Sequence, residues 1–177
     1  LGSDFDFTRY LFEFSFRQPT FLTGLLFPPR LSVRIAGGTA GGVLPPQRLF
    51  DLESQYSGLA PFGVLRAARV KEFSGDRYLS ATAEHNFRSL PFHWLGIDFL
   101  EKAGIELIVS GAVARTWLTS ATRSQLPFAV QATNGWYKEV GFGVSRILGF
   151  FRTDFTWRLG KGISDRFFFS LSLADIF

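Results

Sequence analysis

Apolar and polar residues alternate along most of this chain in short segments, a pattern that is typical of β-strands with two different faces. In the clearest segment, 151–159, most odd positions are apolar and three of the even positions are charged. Proline and glycine residues interrupt the pattern between segments. The sequence therefore predicts an all-β fold with seven strands, at 4–17, 30–38, 77–87, 105–117, 136–146, 151–159 and 166–177.

The last predicted strand, 166–177, separates its two faces well. Ser170, Ser172 and Ala174 occupy one face, and the other face is apolar except at Asp175. Strands of this kind are expected in a sheet that has lipid on one side and a polar lumen on the other. A half-buried strand of a soluble β-sandwich would alternate in the same way. The apolar residues of this strand are Phe167, Phe169, Leu171, Leu173 and Phe177.

Charged residues occupy the side of the strands that lies opposite the apolar residues. The dry core of a soluble protein would not accept such charges without partners. We therefore interpret the apolar side as facing hydrocarbon and the charged side as facing an aqueous lumen. The predicted lumen-facing charges are Arg9, Glu13 and Arg17 in the first strand and Arg152, Asp154 and Arg158 in the sixth.

Composition narrows the class of protein. Of the 177 residues, 46% are hydrophobic, and the 22 phenylalanines are spread among charges, so that no run approaches the roughly 18 apolar residues of a spanning helix. A membrane would have to be crossed by strands. The net charge of +4 is not clustered, which argues against nucleic-acid binding. With no cysteine and only His85 and His93, we expect no metal site, no cofactor and no enzymatic activity.

Residues 43–76 form the longest stretch without regular alternation, and so long a link within a compact domain is usually functional or disordered. Its aromatic residues and arginines favour packing, so we expect it to fold against or into the lumen. Because successive strands reverse direction, it shares one end of the sheet with 119–135 and 160–165. We expect three tryptophans to form an interfacial girdle near that end: Trp117, Trp136 and Trp157.

Several short motifs resemble the C-terminal half of the bacterial surface-antigen superfamily, the outer-membrane assembly and translocation barrels. The segment Leu44-Pro45-Pro46-Gln47-Arg48-Leu49-Phe50 is similar to the start of the family's long extracellular loop, which folds into the lumen before the last five strands. The final strand resembles the terminal recognition strand of outer-membrane barrels. Segments 75–87 and 139–144 are similar to one branch, whose members carry a carboxypeptidase-regulatory-like domain ahead of the barrel.

The resemblance implies roles for particular residues. In the family, the lumenal loop usually contains Arg-Gly-Phe or Arg-Gly-Tyr, and its arginine docks on the inner barrel wall. This chain departs from that motif and offers Leu65-Arg66-Ala67 instead, which makes Arg66 the candidate for docking, with Pro45, Pro46 and Arg48 at the start of the loop. The terminal strand would form the seam that receives substrate strands, through Phe167, Phe169, Leu171, Leu173 and Phe177.

The expected fold is an antiparallel transmembrane β-barrel, as a single domain over 1–177. The resemblance implies that these strands form part of a barrel of about sixteen. The resemblance implies a place in the bacterial outer membrane and a role in protein assembly or translocation. Its partners would be outer-membrane lipid, the other barrel half, periplasmic domains and nascent outer-membrane proteins. Two alternatives remain open: a self-contained barrel of about eight strands that serves as a pore or anchor, and a soluble β-sandwich or lipid-binding barrel.

Overall fold

The computed structural model describes residues 6–54, 62–160 and 166–174. The protein is all-β, with seven long strands in one antiparallel sheet and two short strands in a separate pair. The sheet contains β1 (Phe7–Pro19), β2 (Arg30–Gly42), β5 (Arg77–Asn86), β6 (Glu106–Trp117), β7 (Tyr137–Ile147), β8 (Phe151–Arg158) and β9 (Phe167–Leu173), and the pair contains β3 (Phe50–Asp51) and β4 (Ser74–Gly75).

The sheet is a meander in which each long strand pairs with the next long strand of the chain. The pair β3–β4 lies within the long link between β2 and β5. In the part of the chain that the structure describes, β1 and β9 are the two edges and do not pair with each other, so the sheet is open. All seven strands predicted from the alternation are present, whereas a closed barrel is not formed by the described residues.

The second strand is longer than predicted, because its glycine-rich end continues the pairing rather than ending it. Residues 37–42 pair with residues 7–12 of β1. A Cβ atom on Gly37 would lie 2.4 Å from a ring atom of Phe12, and one on Gly38 would lie 2.6 Å from a ring atom of Phe50. The glycines therefore make room for aromatic rings that approach the strand closely.

Short helices occupy two of the links. The link between β5 and β6 contains α1 (Leu90–Trp94) and α2 (Asp98–Lys102), and the link between β6 and β7 contains α3 (Ser120–Gln125). Thr119 caps α3 by accepting a hydrogen bond from the backbone N–H of Thr122. None of the helices in residues 6–54, 62–160 and 166–174 is long and apolar enough to cross a membrane.

The two faces of the sheet differ in both polarity and exposure. The apolar face is formed by the alternate apolar residues of the seven strands, and its large side chains are exposed: Phe142 by 39% and Phe169 by 58%. The polar face is formed by the residues between them, and many of these are buried: Asp154 is 1% exposed and Arg152 is 5% exposed. This distribution is the reverse of that in a soluble protein.

The polar face is buried because residues 62–76, the docked segment, pack onto it. Leu65 is 1% exposed and Ala67 is fully buried. A small apolar core forms between the long link and the sheet, in which the Phe50 ring lies 5.0 Å from the Tyr78 ring and the Phe73 ring lies 5.9 Å from the Tyr137 ring. The link predicted to fold back against the sheet therefore does so over its described residues.

Candidate functional site

Two arginines and two carboxylates form an ion-pair network between the docked segment and the polar face. Arg66 donates from Nη1 to Asp154 Oδ2 at 3.1 Å and from Nη2 to Glu84 Oε1. Arg152 donates from Nη1 to Glu84 Oε2 at 3.0 Å and from Nη2 to Asp154 Oδ1 at 2.8 Å. Each carboxylate thus contacts both guanidinium groups, and the four residues form the central network.

The central network requires the polar face to be concave. Glu84 lies on β5 and Arg152 on β8, which are three strands apart in the sheet order. In a flat sheet these strands would be about 14 Å apart, yet the two side chains meet directly. Small residues lie beneath the charges, since a Cβ atom on Gly143 would come within 2.5 Å of Asp154 Oδ1. The absence of a side chain at Gly143 thus leaves the space that the Asp154 carboxylate occupies.

Burial makes the pairing in the central network essential. The side chains of Arg66 and Asp154 are 2% and 1% exposed, and those of Arg152 and Glu84 are 6% and 12% exposed. Removing such charges from water is costly, and only close pairing with full hydrogen bonding offsets the cost. Two positive and two negative charges balance, so the network is neutral as a unit. Removal of any one member would leave a buried charge without its partner.

Glu139 on β7 holds the backbone of the docked segment beside this network. Its Oε1 accepts the backbone N–H of Arg66 at 2.7 Å, and its Oε2 accepts the backbone N–H of Ala67 at 2.9 Å. The Tyr137 hydroxyl also donates to Glu139 Oε2. One carboxylate therefore satisfies two backbone donors of a link that has no regular secondary structure at this point, a pairing that buried N–H groups require.

Arg158 provides a third attachment. Its guanidinium donates to both oxygens of Glu72, at 2.8 and 2.7 Å, and to the carbonyl oxygen of Ala67. It also lies 5.1 Å from the ring centroids of Tyr137 and Phe168. Burial opposes ionisation of Glu72, but hydrogen bonds and charge from Arg158, with a further hydrogen bond from the Arg69 backbone, outweigh it. The pKa of Glu72 therefore lies below its ordinary value.

The three predicted charges of β1 face the same side as the long link but remain exposed. Glu13 accepts a hydrogen bond from Arg34 Nε at 2.8 Å. The guanidinium of Arg9 lies 4.2 Å from the Phe50 ring centroid, and that of Arg17 lies 5.4 Å from the Phe62 ring centroid. Arg34 links β1 to the long link, since it also pairs with Glu53. The predicted charges of β1 and β8 thus meet different parts of the same link.

The remaining predicted residues lie outside the central network. Pro45 precedes a single 3-10 turn formed by Pro46–Arg48, and Arg48 is exposed. Trp117 and Trp136 pack edge to face with ring centroids 6.3 Å apart, whereas Trp157 packs with Phe142 and Phe167. Phe177 lies outside the described residues. The seam candidates that the structure describes are exposed on the apolar face of β9: Phe167, Phe169, Leu171 and Leu173.

A cleft of about 550 Å³ runs along the free edge of β9. Arg66, Ala68 and Arg69 line it on one side, and residues 168–173 of β9, from both faces of the strand, line it on the other. The docked segment and the predicted seam strand therefore share one open space. Arg66 connects the two features, because it both lines the cleft and belongs to the central network.

Sequence reasoning did not single out Glu84, Glu139, Glu72 or Arg34 as site residues. Period-two alternation places Glu84 and Glu139 on the polar face, which is a usable signal. Their partners, however, lie in an irregular link, and no periodic pattern indicates which link residue meets which strand. In the part of the chain that the structure describes, no group of three His, Asp or Glu side chains is placed to bind a metal ion.

Comparisons with protein-family models, with curated proteins and with solved structures find no match to this chain. The geometry of the site is therefore the basis for a functional assignment. It consists of a concave polar face, a link held there by three attachments, a cleft beside an edge strand and an exposed apolar face.

Proposed function

We propose that the protein is a bacterial outer-membrane β-barrel of the assembly and translocation type, to which this chain contributes seven strands and a lumenal loop. The proposal depends above all on the inverted polarity of the sheet. Phe142 and Phe169 on the apolar face are exposed, and Arg152 and Asp154 on the polar face are buried. In a barrel, the apolar face would contact hydrocarbon and the polar face would line the interior, so each face would lie in a suitable environment.

A soluble β-sandwich is the main alternative from a different class. Such a fold would cover the apolar face with a second sheet about 10 Å away. In residues 6–54, 62–160 and 166–174 no such layer is present, and Val113, Phe142 and Leu171 remain 40%, 39% and 50% exposed. Soluble monomers rarely expose continuous apolar surfaces of this kind. Contact with lipid explains the exposed apolar face better than a soluble sandwich does.

The open edges favour a barrel larger than these strands. Lipid cannot satisfy the unpaired N–H and C=O groups of a sheet edge, so β1 and β9 both need neighbouring strands in a membrane. The described residues also form an odd number of sheet strands, seven, whereas single-chain bacterial barrels have even numbers. These features favour a larger barrel over a self-contained barrel of about eight strands that acts as a pore or anchor, and the size of about sixteen strands comes from the resemblance to the surface-antigen superfamily.

In the proposed mechanism, the docked segment closes the lumen and β9 forms one side of the seam that receives client strands. The central network, Glu139 and Arg158 hold the segment against the wall. Because Arg66 also lines the cleft beside β9, movement of the segment would change the space available at the seam. Nascent outer-membrane proteins, periplasmic domains and outer-membrane lipid would be the partners.

Insertion into lipid is tested by charge substitution on the apolar face. The protein that carries this chain is folded into phosphatidylcholine vesicles and scored by heat-modifiable gel migration. Phe142→Arg is expected to lose about 2–4 kcal/mol of folding free energy, because Arg would face the hydrocarbon. Leu148→Arg is the matched control, since Leu148 lies in the β7–β8 turn and is 79% exposed. Equal, negligible effects of the two changes would contradict the membrane assignment.

The assembly role is tested with a cysteine pair, which the chain permits because it contains no cysteine. Arg66→Cys combined with Glu84→Cys would allow a cleavable, disulfide-containing thiol crosslinker to tether the docked segment to β5, because the two backbones are separated by the length of the arginine and glutamate side chains. Vesicles containing the protein are expected to speed the folding of an added, unfolded outer-membrane barrel, and crosslinking of the pair is expected to abolish that effect until a reductant cleaves the crosslinker. A protein that conducts ions but never accelerates client folding would favour the pore or anchor alternative.

A further inference from the structure

Three cations stand together on the apolar face, at the end of the sheet that carries the long link and α3. They are Arg77 at the start of β5, Arg115 near the end of β6 and Lys138 near the start of β7, here named the basic cluster. In the strand register, Arg77 lies directly opposite Trp117, and Lys138 lies directly opposite Val113. Arg115 is therefore a diagonal neighbour of both other cations on the same face, at a Cα separation of about 7–8 Å.

Arg115 is held in place by two aromatic rings. Its guanidinium carbon lies 5.0 Å from the ring centroid of Trp117 and 5.9 Å from that of Trp136. Its Nε is buried and finds no hydrogen-bond acceptor within the described ranges. Cation–π contacts orient the group but do not neutralise its charge. Arg115 is thus a fixed cation with an unused donor.

The basic cluster has almost no counter-charge on the protein. Across the seven strands as described, the apolar face carries no aspartate or glutamate. Asp76 is the one counter-charge found among the described residues: its Oδ1 lies 3.9 Å from Arg77 Nε, an ion pair that is too long to include a hydrogen bond. Asp76 Oδ2 already accepts hydrogen bonds from Thr119. Arg77 is 55% exposed in its side chain, and Lys138 is exposed.

The depth of the basic cluster along the membrane normal determines which part of the lipid it contacts. A cation on the lipid-facing side of a barrel costs about 2–4 kcal/mol at the bilayer midplane but about 0–1 kcal/mol near the interface. Tryptophans such as Trp117 and Trp136 also favour the interface. We propose that the basic cluster binds the phosphate groups of a phosphorylated lipid in the leaflet at this end of the barrel. The inference rests on the proposed membrane location and adds a specific ligand class to it.

The chemistry of the basic cluster suits a phosphorylated headgroup. Guanidinium groups donate to phosphate oxygens in a bidentate manner, and an ammonium group adds a mobile charge. Each cation near a charged membrane surface contributes about fivefold to lipid affinity. Three cations would therefore strengthen binding about a hundredfold over that of a face without charge. The apolar face below the cluster would contact the acyl chains.

The test measures lipid retention by the protein in phosphatidylcholine nanodiscs doped with bis-phosphorylated lipid A, with native mass spectrometry as the readout. The triple variant Arg77→Gln, Arg115→Gln, Lys138→Gln is expected to bind about a hundredfold more weakly. Lys102→Gln, in α2 at the opposite end of the sheet, is the matched control and is expected to bind like the wild type. Equal retention by the triple variant and the wild type would overturn the proposal.

Two further measurements identify the source of the ligand and allow for a triple variant that does not fold. Displacement of the lipid by an equal concentration of inorganic phosphate would overturn the assignment to a lipid. If the triple variant does not fold, the double variant Arg77→Gln, Lys138→Gln, which changes only exposed side chains, carries the test with an expected loss of about thirtyfold. A wild-type protein that does not enter nanodiscs would refute the membrane assignment, whereas one that enters and binds lipid regardless of the basic cluster refutes this inference alone.

Discussion

Arg66 and Asp154 are 88 residues apart in the chain, yet Nη1 of the arginine lies 3.1 Å from Oδ2 of the aspartate. The contact joins an irregular link to a strand that follows five strands of the sheet in the chain. Both side chains are almost fully buried. The ion pair therefore forms only when the long link is docked on the sheet. Removal of either residue would weaken the attachment between the link and the sheet.

Replacement of Arg66 tests the strength of the central network. Arg66→Gln would leave Glu84 and Asp154 with only Arg152 as a cationic partner, so we expect a loss of about 3–5 kcal/mol in the free energy of unfolding. Urea unfolding followed by tryptophan fluorescence measures the change. Arg48→Gln, an exposed arginine of the same link, is the control and should change stability by less than about 0.5 kcal/mol. Similar losses in the two variants would contradict the assigned role.

Glu139 is expected to control how firmly the docked segment is held. Glu139→Gln replaces one acceptor with an N–H₂ group that faces a backbone donor, and such an unsatisfied buried group costs about 1–3 kcal/mol. Trypsin cleavage after the exposed Lys71 should become faster in this variant. Tyr137→Phe removes only one donor to the same carboxylate and should have the smaller effect. A cleavage rate that equals that of the wild type would count against this attachment.

The contribution of Glu72 should depend on pH with a defined sign. Because its pKa is lowered in the folded protein, the stability that it contributes is complete above the ordinary value of 4.5 and is lost as the pH falls through the folded value. The difference in unfolding free energy between the wild type and Glu72→Gln should shrink as the pH falls from about 7 to about 3. Since both proteins share all other carboxylates, those titrations cancel. A difference that stays constant over this range would exclude the Glu72–Arg158 contact as its source.

Gly75 marks a close approach between β4 and the end of β6. A Cβ atom there would lie 2.2 Å from the backbone carbonyl oxygen of Trp117, so Gly75→Ala requires movement of the backbone. We expect a loss of about 1–3 kcal/mol in unfolding free energy. Gly24→Ala is the matched control, because nothing lies within 4 Å of its Cβ position. Equal destabilisation by the two changes would contradict the close approach of β4 to the end of β6.

The strands could be predicted from the sequence because their alternation has a single physical cause, the difference between the two faces of the sheet. The prediction ended β2 too early, at residue 38, because Gly41 and Gly42 give no side-chain signal, whereas residues 39–42 still pair with β1. Within the predicted strand, the rings of Phe12 and Phe50 show why Gly37 and Gly38 need to be glycine. Short helices such as α2 were not predicted, because five residues are too few to show a helical period.

The candidate site was predictable in part. Alternation placed Arg152, Asp154 and Arg158 on one face, and Arg66 came from resemblance to a family motif. The pairing between them could not be predicted, because contacts between an irregular link and a curved sheet depend on the curvature itself. Glu139 illustrates this limit, since its partners are backbone N–H groups that carry no sequence signature.

The central network also sets an order of events during folding. Neighbouring strands β5 to β9 pair with the next sheet strand in the chain, and such local contacts are expected to form early in folding. Arg66 is synthesised before any of them, but one of its two carboxylate partners belongs to β8. Arg66 can therefore complete its ion pairs only after β8 has joined the sheet. In the proposed barrel, docking of residues 62–76 would then be a late step of folding, which follows the pairing of the strands on which it packs.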